Sequence, residues 1–128
     1  GSAEAVLDMT LEYVKHRTQF GRPIGTFQAI QHHCANMAIN IECGRHLTYN
    51  AVWKIEERLP ARVEASMAKA WMGKAFSDIC AISHQCHGAI GFTQEHDLQL
   101  YTRQAKSQET TFGDSSIHRQ AIRDLLGV

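Results

Sequence analysis

Three polar stretches carry the residue types with which this 128-residue sequence could do chemistry. The first, Arg17-Thr-Gln-Phe-Gly-Arg-Pro-Ile24, sets two arginines and an aromatic ring in an ordered loop. The second, Gln85-Cys-His-Gly-Ala-Ile-Gly-Phe92, ends a long helical run with two glycines, whose bare backbone lets a ligand or another chain segment approach closely. The third, residues 112–116, precedes a short helix that Asp114 or Ser115 can cap. Free N–H groups at that helix start and the charge of Arg17 suit a phosphate or pyrophosphate, and Phe20 and Phe27 suit a flat ring. These features read as a domain that grips a phosphorylated aromatic cofactor at its loops. The competing reading is a plain structural bundle, with Phe20 plugging the end of the core, the arginines solvated and the glycines acting only as a C-cap and link.

Other chemistries find less support. Cys80, His84 and His87 fall at i, i+4 and i+7 on one helical face and could meet a soft metal, but no fourth ligand or open position accompanies them, so no metal is assigned. Ser66, Ser77 and Ser83 lie within a helix, away from any strained turn beside a base. Thirteen basic residues balance thirteen acidic ones, which gives no general attraction to nucleic acid or an anionic membrane. Four cysteines without a CxxC pair suggest free thiols in a reducing compartment, with the cytoplasm as the expected location. No apolar run approaches the roughly 20 residues that span a bilayer.

The elements that must position these loops are helical. Gly1-Ser2 looks like an expression-tag scar and is set apart, leaving one domain over 3–128. Val6, Met9, Tyr13 and Val14, with Leu7 and Thr10, mark a first helix. Thr26 is placed to cap a second running from Phe27 to about Leu59, along the stripe Ile30, Cys34, Met37, Ile41, Gly44, Thr48, Val52 and Ile55. Gly44 in that stripe predicts a close helix approach. Pro60 is placed to start a third helix, whose apolar face of Val63, Met67, Trp71, Ala75, Ile79, Ile82 and Cys86 is widened by Ala65, Ala68, Met72 and Phe76. That width predicts burial on more than one side. Thr93, Glu95 and Asp97 suit the start of a fourth helix, carrying Leu98, Tyr101, Thr102 and Ala105, and a short fifth carries Ile117, Ala121, Ile122 and Leu125. With no strand pattern, the fold expected is all-α, a four-helix up-and-down bundle with a short extra C-terminal helix. Alternate links of such a bundle return to one end, so some of the three polar stretches are expected to converge.

Taken together, Arg17-Thr-Gln-Phe-Gly-Arg-Pro-Ile-Gly-Thr-Phe-Gln28, Gln85-Cys-His-Gly-Ala-Ile-Gly91 and Phe112-Gly-Asp-Ser-Ser-Ile-His-Arg119 resemble the ordered motifs of the acyl-CoA dehydrogenase C-terminal domain. The resemblance covers essentially the whole chain and implies one domain of a longer flavoprotein, active in fatty acid or lipid metabolism, that uses FAD to dehydrogenate an acyl-CoA thioester. It implies that Arg17 meets the pyrophosphate of a neighbouring chain's FAD, with Phe20 beside the adenine. Phe27 and Gln28 then stand where the family has a flavin-contacting pair, and Gln85, Gly88 and Ala89 form a backbone cradle in which Ala89 replaces a glycine. Asp114, Ser115 and Ser116 match residues on the flavin side and Gly113 the one next to substrate. The family's usual catalytic glutamate is Phe112 here, and phenylalanine takes no proton, so no catalytic residue is assigned within the chain. The resemblance further implies a homo- or hetero-oligomer and an electron-accepting flavoprotein as partner. Two alternatives stay open: a non-catalytic assembly subunit of a heteromer, resembling members of a bacterial steroid-degrading group, and a flavin monooxygenase or oxidase on the same scaffold.

Overall fold

The structure is a computed structural model that describes residues 1–127. Steps of four between Val6, Thr10 and Val14, with Ala3 one turn earlier, put four buried residues on one stripe of α1 (Ser2–His16). The chain then makes a two-residue antiparallel pair, β1 (Thr18–Gln19) with β2 (Arg22–Pro23), and a 3-10 turn over Ile24–Thr26. Two long helices follow, α2 (Gln28–Glu56) and α3 (Arg62–His87). A second 3-10 turn, Gly88–Phe92, leads to α4 (Leu98–Thr110) and α5 (Ser115–Leu126). This is the expected helical bundle, with α5 added as the extra C-terminal helix.

The breadth of the apolar surface on α3 has the predicted consequence, since α1, α2, α4 and α5 all pack on this one helix. The core joins Val6 of α1, Met37 and Ile41 of α2, Phe76, Ile79 and Cys80 of α3, and Leu98 and Ala105 of α4. At Gly44 the helices come close enough that a methyl group would overlap Met72 Sδ and lie 3.4 Å from Trp71 Cδ1. Glycine there is a packing residue.

Several expected boundaries shift, each for a local reason. The β1–β2 pair is too short to carry any alternation of apolar and polar residues, so it leaves no strand signal. Thr26 does not cap α2: its hydroxyl donates to Pro23 O at 2.7 Å, and Phe27 occupies the N-cap position without a side-chain bond. At the other end α2 stops at Glu56, where the chain turns through Arg58 at φ 56°. Ala61 takes the N-cap position of α3, so Pro60 lies outside the helix it was expected to start. Residues 93–97 form turns, and α4 begins only at Leu98.

The long stripe of α2 is also only half covered. Met37, Ile41 and Gly44 are buried, whereas Val52 and Ile55 are exposed, together with Tyr49, Trp53 and Leu59. Periodicity reports which side is apolar and is blind to whether anything packs against it. Truncating Ile79, which has no exposed surface, to alanine is therefore expected to cost about 2–5 kcal/mol. Ile55→Ala, at a residue 61% exposed, is expected to stay within about 0.5 kcal/mol. Urea unfolding of the two variants of this chain checks the contrast.

Candidate functional site

The link after α1 is built to hold an aromatic ring in solvent. With Gln19 paired to Arg22, the loop between β1 and β2 is two residues, Phe20 and Gly21, both at positive φ (55° and 77°). That is the twist a two-residue hairpin demands, and it is normally met by Asn-Gly because a side chain is strained there. Phe20 is 92% exposed. It therefore plugs no core. Its ring stands edge-on to Phe27 with centroids 6.0 Å apart, and Arg22 Cζ lies 4.2 Å above the Phe27 ring, within cation–π range. Arg17 and Gln28 are exposed beside them, and the Arg17 backbone is fixed on both sides, donating to Tyr13 O and accepting from Ile24 N at 2.8 Å each. Among the described residues Arg17 has no ion-pair partner.

At the end of α3 the chain turns at Gly88, whose φ of 64° and ψ of −143° fall in a region essentially reserved for glycine. Gln85, Gly88 and Ala89 are exposed, and Gly91 is buried against the helix end. A methyl at Gly91 would come within 3.0 Å of His87 Cβ and 3.2 Å of His84 Nδ1. One residue joins this turn to the hairpin. The Tyr13 ring stacks on His87 at 4.4 Å, and its hydroxyl donates to His87 O at 3.3 Å. Arg17 sits one helical turn beyond Tyr13, so the first two polar stretches lie at one end of the bundle.

The third stretch lies elsewhere. Ser115 Oγ donates to Ala70 O at 2.7 Å. Lys69 Nζ holds the carboxyl end of α4 through Gln108 O and Glu109 O at 2.9 and 3.1 Å. Ala70 precedes Gln85 by fifteen residues on α3, which separates them by about 22 Å at 1.5 Å per residue. Some of the three stretches are expected to converge, and the first two do so within one chain. At this second location Phe112 is again an exposed phenylalanine on strained backbone, at φ 61° and 91% exposed. Gly113 follows at φ 98°. Asp114 caps α5, its Oδ1 accepting from Ser116 Oγ and from the N–H groups of Ser116 and Ile117 at 2.7, 2.9 and 3.1 Å. These bonds, the Ser116 hydroxyl first, hold its carboxyl below the usual range. That makes Asp114 a poorer base and a better cap. Lys74, Arg119 and Arg123 surround Ser115 and Ser116 in an open cleft.

Cys80, His84 and His87 are already engaged. His84 Nε2 lies 2.8 Å from Thr102 Oγ1, His87 Nδ1 lies 2.8 Å from Ser83 O, and burial pushes the Cys80 thiol up to about 11. Among the described residues no group of three His, Cys, Asp or Glu is arranged to hold a metal. Sequence spacing placed these residues on one face but missed what they meet: Tyr13, Phe92, His96 and Thr102 come from other elements. Among the described residues no helix is long and apolar enough to cross a membrane.

Comparison with known proteins adds an independent line. The family model described as "Acyl-CoA dehydrogenase, C-terminal domain" matches residues 1–126. A protein named "Probable acyl-CoA dehydrogenase YngJ", from Bacillus subtilis, is 39% identical over 127 residues, covering 98% of this chain and 33% of YngJ. The "Caffeyl-CoA reductase-Etf complex subunit CarC" of Acetobacterium woodii is 34% identical over 126 residues, with 98% and 33% covered. Among solved structures, an FAD complex of PigA superposes with a TM-score of 0.94 at 27% identity, over 98% of this chain and 33% of that one. The chain thus spans about a third of the length of the proteins it matches.

The strained hairpin tip carries its own prediction. Phe20→Gly removes a side chain that is 92% exposed and relieves left-handed strain, so it is expected to raise stability by about 1 kcal/mol. Thermal unfolding measures this; destabilisation would mean that Phe20 supports the fold.

Proposed function

The chain belongs to the acyl-CoA dehydrogenase family as its C-terminal domain, and on that premise we propose that it holds the adenosine-diphosphate end of an FAD bound mainly by a neighbouring chain. The observation that carries this is the pairing of the first two polar stretches through Tyr13 and His87. At one end of the bundle they offer an arginine on a hydrogen-bonded backbone that has no ion-pair partner among the described residues, an aromatic ring held in solvent at a cost in strain, and a glycine turn without side-chain cover. In this reading Arg17 pairs with the pyrophosphate and Phe20 lies on the adenine. Phe27 and Gln28 line the entry, and Gln85, Gly88 and Ala89 present polar groups along the dinucleotide. FAD, when bound, supplies acceptance of a hydride.

The region around residues 112–116, about 22 Å away along α3, faces the flavin and substrate side of a site. There Ser115 and Ser116 contact the flavin side, with Asp114 fixing the loop and Gly113 leaving room for substrate. The longer protein then dehydrogenates an acyl-CoA at its α,β carbons and passes electrons to a flavoprotein. The Etf complex in the name of CarC supports that partner, and the exposed apolar end of α2 supports a homo- or hetero-oligomer. The cytoplasm is its proposed location.

Phe112 favours a second reading. A phenyl group where the family places its glutamate cannot remove the α-proton, which suits a non-catalytic assembly subunit of a heteromeric dehydrogenase, or a flavin monooxygenase or oxidase, if no carboxylate elsewhere in the longer protein takes its place.

Arg17→Ala in the longer flavoprotein is expected to weaken FAD binding about 10- to 100-fold, the worth of one charge-assisted hydrogen bond, as read by flavin retention on dialysis. Unchanged retention would remove Arg17 from the site. Phe112→Glu separates the two readings. If the missing carboxylate is the sole lesion, acyl-CoA-dependent flavin bleaching should rise by about 100-fold or more; no gain places the base on another segment or the chemistry in another class.

A further inference from the structure

Beneath the Gly88–Phe92 turn lies a set of histidines that the proposed cofactor contacts do not use. His87 is 4% exposed and His84 8%. His96, from the link before α4, meets His87 edge-on with ring centroids 4.8 Å apart. Their protonation states follow from their partners. Ser83 O can only accept, so His87 donates through Nδ1–H at 2.8 Å and leaves Nε2 as a bare lone pair. The Thr102 hydroxyl donates to Leu98 O, so it accepts from His84 Nε2–H and leaves His84 Nδ1 bare. His96 Nδ1 accepts from Leu98 N at 3.1 Å and is likewise the unprotonated nitrogen. A second proton on His84 or His87 would find no acceptor. The bare nitrogens of His84 and His87 are buried and have no hydrogen-bond partner.

What surrounds them decides what a second proton would do. From α1 the facing titratable group is Tyr13, stacked on His87. From the 3-10 turn come Phe92, stacked on His84 at 4.4 Å, and the Gly91 backbone. From α4 comes the Thr102 hydroxyl, with Cys80 beside it on α3. No carboxylate is among the groups that influence either buried ring. Burial first, then the neighbouring imidazoles, oppose the charged forms; Ser83 O and the Gly91 backbone favour them and are outweighed. A cation on His87 would sit in a dry place against two other imidazoles, under the turn whose Gly91 packs on its Cβ.

We propose that the buried pair His87 and His84, packed against His96, is an acid-sensitive latch: protonation of this pair releases the Gly88–Phe92 turn from the end of α3. An imidazole in the opened turn takes its proton in the ordinary range near pH 6.5, whereas the packed one resists until lower pH. Between those limits opening takes up a proton, so the closed turn is fully favoured above the ordinary range and loses its advantage as pH falls. This follows from the chain's own packing and holds whatever occupies the turn.

Amide hydrogen exchange on this chain between pH 7.5 and pH 5, corrected for intrinsic rates, tests it. Protection at Gly91, Phe92 and Thr93 is expected to fall about tenfold at the acid end, while Met37 and Ile41 in the core keep theirs. His87→Asn retains a donor for Ser83 O without a titrating ring, and its turn should lose most of its pH response, keeping only the part due to His84. A flat wild-type profile, or an equal fall in wild type and variant, would overturn the proposal. Should the variant fail to fold, imidazole nitrogen shifts of the wild-type chain decide: His84 as the Nε2–H form and His87 as the Nδ1–H form, both titrating below the ordinary range, uphold the latch. Titration of His87 at or above that range would refute it.

Discussion

Everything in this domain leans on α3. A helix whose apolar residues cover more than one face must be enclosed, and α1, α2, α4 and α5 do the enclosing. The consequence for function is positional. The carboxyl end of α3 is held against α1 through Tyr13 and His87, so the hairpin after α1 and the glycine turn after α3 share one rim. Nearer the amino end of the same helix, Ser115 bonded to Ala70 O and Lys69 bonded to the end of α4 pin the loop that carries Phe112. Two polar surfaces thus hang from one central helix, at a spacing set by helix geometry.

Both surfaces use the same local device. Phe20 and Phe112 are exposed aromatic residues on left-handed backbone, each followed by a glycine with positive φ. Such strain is retained where the surrounding structure overrides it, and it clusters at sites of binding. Phe20 stands in solvent at the tip of the hairpin that follows Arg17, edge-on to Phe27. Phe112 stands in a loop that Asp114 closes by capping α5.

Much of the fold was legible because helical periodicity marks which side of each helix is apolar. Val6, Thr10 and Val14, the two-sided surface of α3, and Gly44 under Met72 all follow from it. What periodicity cannot register is whether an apolar face is covered, and so the stripe of α2 reads on unbroken to Ile55, which is exposed. Capping failed for a different reason. Thr26 has the right side chain, yet its hydroxyl is satisfied by Pro23 O, a competition between local hydrogen bonds that residue type does not settle. At the site, Arg17, Gln85, Gly88 and Asp114 were visible as polar or glycine residues at helix ends. The turn that exposes Phe20 was hidden, because hairpin tips of this twist are recognised by Asn and Gly. So was the histidine cluster: its partners Tyr13, Phe92, His96 and Thr102 meet only through tertiary packing.

For the proposed FAD contacts to form, the hairpin and the glycine turn must act as one surface toward a dinucleotide. Hydrogen exchange of the longer flavoprotein, compared with and without FAD, tests that most directly. The two segments, 17–28 and 85–91, should gain protection together on FAD addition, with the distal surface of α2 unchanged. Protection confined to one of them, or absent from both, would contradict it.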